Sequence, residues 1–171
     1  MPITDLLLPE FDTELQATRN VLAGVPERKD DWKPHEKAMP LGQLARMVAM
    51  MAAWVPVVTE HDELDIAPLD GKRAPQPDVH SNADLLALFD KSAKVGREAL
   101  AKMTDAKFDE PWHFKSGGKT LFTKSRYQSL RWSVLNHIVH HRAQLGTYLR
   151  ILDQKVPEMY GPTADTKDVG K

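Results

Sequence analysis

The chain has 171 residues, 42% of them hydrophobic, which is enough for one good core and too few for two ordinary domains. Its 23 basic and 24 acidic side chains nearly cancel, so it has no basic surface to track nucleic-acid phosphates. The lack of cysteine excludes disulfides, thiolate metal sites and a cysteine nucleophile, and it fits a reducing, cytoplasmic setting.

The opening MPITDLLLPEFDTEL turns acidic within five residues and has no basic n-region, so it does not read as a signal peptide. No apolar run reads as long enough for a bilayer span of roughly 20 residues. In the first segment Leu8, Phe11, Leu15, Thr18 and Leu22 recur at spacings of three and four, which predicts a helix ending near Gly24 and Pro26. A second helix is expected after Pro40, with Leu41, Leu44, Val48, Met51 and Val55 on one stripe, kinked or ended by Pro56. The next stretch, DELDIAPLDGKRAPQPDVH, is rich in proline and charge and reads as a long surface connection, not a strand pair.

A third helix opens at Ser81, which can cap it. Asp84 suits the positive end of its dipole, and Leu85, Leu88, Phe89, Ser92 and Val95 lead to a fade near Lys102. PWHFKSGGKTLF has aromatic and β-branched residues on both sides of Ser116-Gly117-Gly118 and predicts a small hairpin. The fourth and longest helix is expected from about Ser125 to Leu152, with Leu130, Val134, Ile138, Leu145, Tyr148, Leu149 and Leu152 as its apolar face. The tail VPEMYGPTADTKDVGK is too polar for a helix and reads as extended, with residues 166–171 disordered. The expectation is an all-α fold: a four-helix bundle in one domain, residues 1–165, with a long crossover between helices two and three.

The fourth helix carries LNHIVHHRAQLGTYLR, with three of the chain's seven histidines within five positions. At about 100° per residue, His137 and His141 point the same way, inside the arc set by Leu130, Val134, Leu145 and Tyr148. His140 falls on the rim of that arc, roughly 60° from His137 by the same geometry, and is expected to be exposed or bonded to a neighbour. Two neutral imidazoles at i and i+4 suit a bidentate metal grip, because adjacent turns place their nitrogens where one ion can bridge them. The same spacing also suits two histidines at the edge of a core, satisfied by Thr, Gln or backbone partners, so spacing alone leaves both readings open.

LNHIVHHRAQLGTYLR resembles the last helix of the DinB-like superfamily, whose hallmark is HxxxH followed by R-x-Q. That superfamily includes bacillithiol-dependent transferases and mycothiol-dependent maleylpyruvate isomerases. DWKPHEKAMPLGQLARMVAMMAAW at 31–54, GGKTLFTKSR before the fourth helix and VPEMYGPTAD near the end are similar to further family segments in the family's order. The likeness spans about residues 2–165. It implies an up-down-down-up bundle, often dimeric, holding zinc or nickel on three histidines, two of which correspond to His137 and His141. The third is expected in an LGxLxxHVA motif, which here reads LGQLARMVA and puts Met47 in the histidine's place.

A thioether is a weak ligand for zinc or nickel, so a site of His137, His141 and Met47 is degenerate and would hold a divalent metal weakly or not at all. Met47 also reads as core filler beside Met50, Met51 and Trp54. His35, in the PHEK loop, is a candidate stand-in or a residue ordering the turn beside Trp32. His61 lies about 21 Å from Met47 along an unbroken helix, too far to serve. His80 and His113 read as surface residues, and no Asp or Glu is placed on an inward stripe.

Two functions are in play. One is an enzyme, a thiol transferase or hydrolase, in which a metal on His137 and His141 lowers the pKa of a thiol or water. Arg142 and Gln144 then support the site or stabilise the fold, and Tyr148 lines the pocket or packs in the core. The other is a metal-free bundle that binds a small ligand or acts as a dimeric stress-associated protein. A small molecule or thiol is the expected partner, with a second copy of the chain; nucleic acid and membrane are not.

Overall fold

A computed structural model describes residues 1–71 and 77–166. Its helices are α1 (Ile3–Ala23), α2 (Leu41–Met50), α3 (Trp54–Glu60), α4 (Asn82–Ala101), α5 (Asp105–Asp109), α6 (Arg126–Leu130) and α7 (Asn136–Ile151). Its strands are β1 (Glu63–Asp65), β2 (Pro111–Ser116) and β3 (Lys119–Ser125).

Each expected helix forms, and the departures have local causes. α1 has no side-chain cap of its own, and the Ile3 amide instead donates to Asp105 Oδ1 of α5 at 2.8 Å. The helix after Pro40 breaks into a 3₁₀ turn at Met51–Ala53 before α3 resumes. Pro56 explains the break: proline has no N–H for the carbonyl four residues back, which is Ala52, and its ring crowds that carbonyl. α4 packs closely there. A β-carbon on Gly96 would stand 2.3 Å from the Ala52 oxygen, so only glycine admits this contact. Ser81 caps α4 through the Asp84 amide, as its position in the sequence suggests.

The helical stretch Leu41–Glu60, contrary to the sequence reading, is long and apolar enough for a membrane span by length and composition. The 3₁₀ turn interrupts it, 56% of its apolar window is buried, and Leu41, Leu44, Val48, Met51 and Val55 join one core with α1, α4 and α7 residues.

The expectation of an all-α four-helix bundle is wrong: the described residues hold further short helices and three strands. β1, β2 and β3 form a mixed sheet in that order, with β1 parallel to β2 and β2 antiparallel to β3. The hairpin is where SGG predicted it, with Gly117 and Gly118 at φ 60° and 75° in the turn. β1 lies inside the stretch read as a loop. Glu63, Leu64 and Asp65 pair with His113, Phe114 and Lys115, and the Asp65 carboxylate accepts from the Gly117 and Gly118 amides at 3.0 and 2.7 Å. This carboxylate thereby fastens the connection to the turn, and the donated backbone N–H groups hold its pKa below the usual range. Part of that connection, residues 72–76, lies outside the described residues.

Trp112 of β2 is buried, and its indole donates to Val57 O at 3.3 Å, which seats the sheet on α3. Arg126, 3% exposed, completes the join: its guanidinium donates to Val58 O and His61 O, both at 2.6 Å, and pairs with Asp62 and Glu110. It thus satisfies carbonyls at the C-terminal end of α3 that have no helical partner.

Candidate metal centre

The helix that carries the histidines is not a uniform α-helix. α6 starts at a capping box formed by Ser125 and Gln128, and a π-helical segment, Arg131–Leu135, joins it to α7. There the Asn136 amide reaches the Arg131 carbonyl, five residues back. The wider turn rotates α7 about its axis, so the buried line through that helix runs Ile138, Arg142, Leu145, Leu149. His137 and His141 stand at its flank, half-buried, and do not point into the centre of the core as uniform periodicity implies. His140 is exposed, as expected from its rim position, with its ring edge-on to His141 at 4.7 Å.

The pair is tightly held. His137 Nε2 and His141 Nε2 lie 2.9 Å apart. His137 Nδ1 is 3.3 Å from the Ser133 carbonyl and His141 Nδ1 is 2.7 Å from Gln144 Oε1. A carbonyl only accepts, so His137 carries its proton on Nδ1 and leaves Nε2 as a lone pair. With Gln144 presenting its oxygen, the same holds for His141. In that arrangement two lone pairs face each other at 2.9 Å, and a cation between them, either a proton or a metal ion, would satisfy both. Burial lowers the pKa of both rings, so a shared extra proton is disfavoured. Turning the Gln144 amide end for end offers the other solution, a neutral pair in which His141 Nε2–H donates to His137.

The donor set fits a divalent ion in part. Zinc–nitrogen bonds of about 2.0–2.1 Å at tetrahedral angles need nitrogens about 3.4 Å apart, a small opening from the observed separation. Acceptors on both Nδ1 atoms are what oriented metal histidines use. Among the described residues, however, no group of three His, Cys, Asp or Glu converges. Met47 is half-buried on α2 at the margin of the core. The aromatic contact on His137 from this helical stretch comes from Trp54, edge-on at 6.0 Å.

The remaining candidates have other work. His35 Nδ1 accepts from the Lys37 amide at 3.1 Å and orders its own turn. His61 and His80 are exposed, and His113 Nδ1 bonds Thr123 Oγ1 across the hairpin at 2.8 Å. The Tyr148 hydroxyl donates to Met39 O at 3.1 Å and its ring meets Trp32 edge-on, so it packs in the core and holds the α1–α2 loop.

Arg142 is fully buried and pairs across helices with Glu14 of α1 at 2.6 Å, an inward carboxylate that sequence reading missed. Glu14 sits between Phe11, Leu15 and Thr18 on the buried face, and that placement was the available signal. The pair also engages the tail. Tyr160 OH accepts from Arg142 Nη2 at 2.6 Å and donates to the Glu14 carboxylate, 2.9 and 2.8 Å from its two oxygens. The expected disorder of 166–171 lies outside the described residues except for Thr166.

Three comparisons bear on this architecture. The sequence model described as the DinB family matches residues 1–168. A DinB-like protein of Bacillus subtilis, YjoA, has a similar fold, with a TM-score of 0.69, 17% identity and coverage of 90% of this chain and 97% of that one. A DinB-like protein of Bacillus cereus ATCC 10987 is similar too, with a TM-score of 0.67, 20% identity and coverage of 93% and 98%. No curated protein matches the chain.

Proposed function

The chain belongs to the DinB family, and from that premise we propose that His137 and His141 are a weak two-imidazole grip for a divalent ion such as zinc or nickel. The grip serves a thiol-transferase- or hydrolase-like centre acting on a small molecule. The observation that carries this reading is the pair of facing Nε2 atoms 2.9 Å apart, each ring steadied through Nδ1. A bound ion supplies Lewis acidity that lowers the pKa of a thiol or water and so prepares a nucleophile. Ser133 and Gln144 orient the donor nitrogens, and Trp54 shields one side of His137. Met47 occupies the third ligand position of the family motif, where its thioether weakens the site. The cysteine-free composition supports a cytoplasmic setting.

The test is elemental analysis of protein purified without a nickel column, followed by calorimetric titration with zinc and nickel. His141→Ala should abolish binding, and Met47→His should raise affinity by about tenfold or more, the scale on which even outer-shell changes act. Unchanged zinc affinity in an intact Met47→His protein would mean that Met47 does not stand beside the pair. If neither wild type nor that variant takes up metal, the metal reading fails.

A second reading, a metal-free protein that binds a small ligand or works as a homodimer, is favoured by one observation: among the described residues no third His, Cys, Asp or Glu joins the pair. It predicts no metal in the purified protein and a neutral, hydrogen-bonded histidine pair.

A further inference from the structure

We propose that residues 155–166 form a strap that opens and closes as one unit against α1 and α7, with the Tyr160 hydroxyl as its latch. α7 ends in a turn where Asp153 takes a left-handed φ of 57° and the Gln154 amide bonds Leu149 O at 2.9 Å. Beyond this hinge the chain bonds largely to itself. The Val156 amide donates to Asp165 Oδ2 at 2.9 Å, Thr163 Oγ1 to Val156 O at 2.8 Å, and the Thr163 amide to Thr166 Oγ1 at 2.8 Å. These closures join the two ends of the segment into one cooperative loop, which loses them together when it leaves the body.

Its ties to the body are few and mostly polar. Asp165 pairs with Arg150 of α7, the Met159 methyl rests over Gly146, and Tyr160 reaches the Arg142–Glu14 pair. Val156 is its one buried hydrophobic side chain, 9% exposed, while Tyr160 is 68% exposed although its hydroxyl is engaged inside. A segment with so little apolar burial opens at low free energy compared with the helices beneath it. The body stays closed when it leaves, because Arg142 keeps Glu14, the Glu14 carbonyl and Thr18 Oγ1. The latch is charge-assisted on both sides of the phenol oxygen, and with the Arg150–Asp165 ion pair it forms the strap's charged hold on the body. Arg142 directly follows His141, so the latch closes one residue from the histidine pair.

Native-state hydrogen exchange on the full chain tests this. The Val156, Thr163 and Asp165 amides should exchange with one common opening, about 100-fold or more faster than those of Leu145 and Leu149. Tyr160→Phe keeps the ring over Arg142 and removes the hydroxyl. It should speed the strap amides together by about tenfold or more and leave α7 unchanged. Arg150→Ala should act in the same direction on the same amides. Strap amides as slow as those of α7, an unaltered strap in Tyr160→Phe, or equal acceleration of strap and α7 would each overturn the proposal.

Discussion

Replacing Glu14 by Gln removes the charge that faces Arg142 while keeping shape and one acceptor oxygen. The Arg142 side chain is 1% exposed and that of Glu14 10%, with the nitrogen and oxygen 2.6 Å apart. Breaking a buried pair from one side costs about 3–5 kcal/mol, because the remaining charge is left uncompensated away from water. Here the lower end, about 3 kcal/mol, applies, since Arg142 retains the Glu14 carbonyl, Thr18 Oγ1 and the Tyr160 hydroxyl. The Arg97–Asp12 pair, which joins α4 to the same α1, is an internal control with side chains 51% and 43% exposed. Asp12→Asn there should cost about 0.2–1 kcal/mol. Urea unfolding reads both. At a slope of about 2 kcal/mol/M, Glu14→Gln should lower the midpoint by about 1.5 M with the slope unchanged. Adding Arg142→Met should recover part of the loss, because the stranded charge is then gone. The argument is refuted if Glu14→Gln costs no more than Asp12→Asn.

Two further expectations come from close contact and from burial. Gly96→Ala places a methyl 2.3 Å from the Ala52 oxygen, a backbone atom that cannot swing away. Its cost should be about 1–3 kcal/mol or more, seen as a melting temperature lower by roughly 2–4 °C per kcal/mol, and unchanged stability would contradict the contact. Burial depresses the pKa of His137 and His141 below the ordinary 6.5. Between the folded and ordinary values the unfolded chain binds more protons, so stability rises with pH up to about 6.5 and is flat above it. In chelator-treated protein, replacing both histidines by Asn should flatten this rise below about pH 6.5. An identical slope in the variant would mean that the rings are not desolvated.

Periodicity and caps located the long helices because those signals are local: apolar spacing for α1 and α4, Ser81 for the start of α4, and the Gly117-Gly118 turn for the hairpin. The HxxxH spacing likewise brought His137 and His141 together, as one turn of any helix would. β1 had no such signal. Three residues, two of them acidic, form a strand only because β2 offers a parallel edge and the hairpin amides receive Asp65. The π segment is equally silent in composition, yet it turns the histidines to the flank of α7 and Arg142 into the core. Glu14 was placed on no inward stripe until the fold set a buried guanidinium against it, and the tail read only as extended until Tyr160 found that pair. Interactions within one turn of the chain are written in neighbouring residues. Pairings between distant residues depend on where packing sets the partner, and here that placement decided the sheet, the buried charges and the setting of the histidine pair.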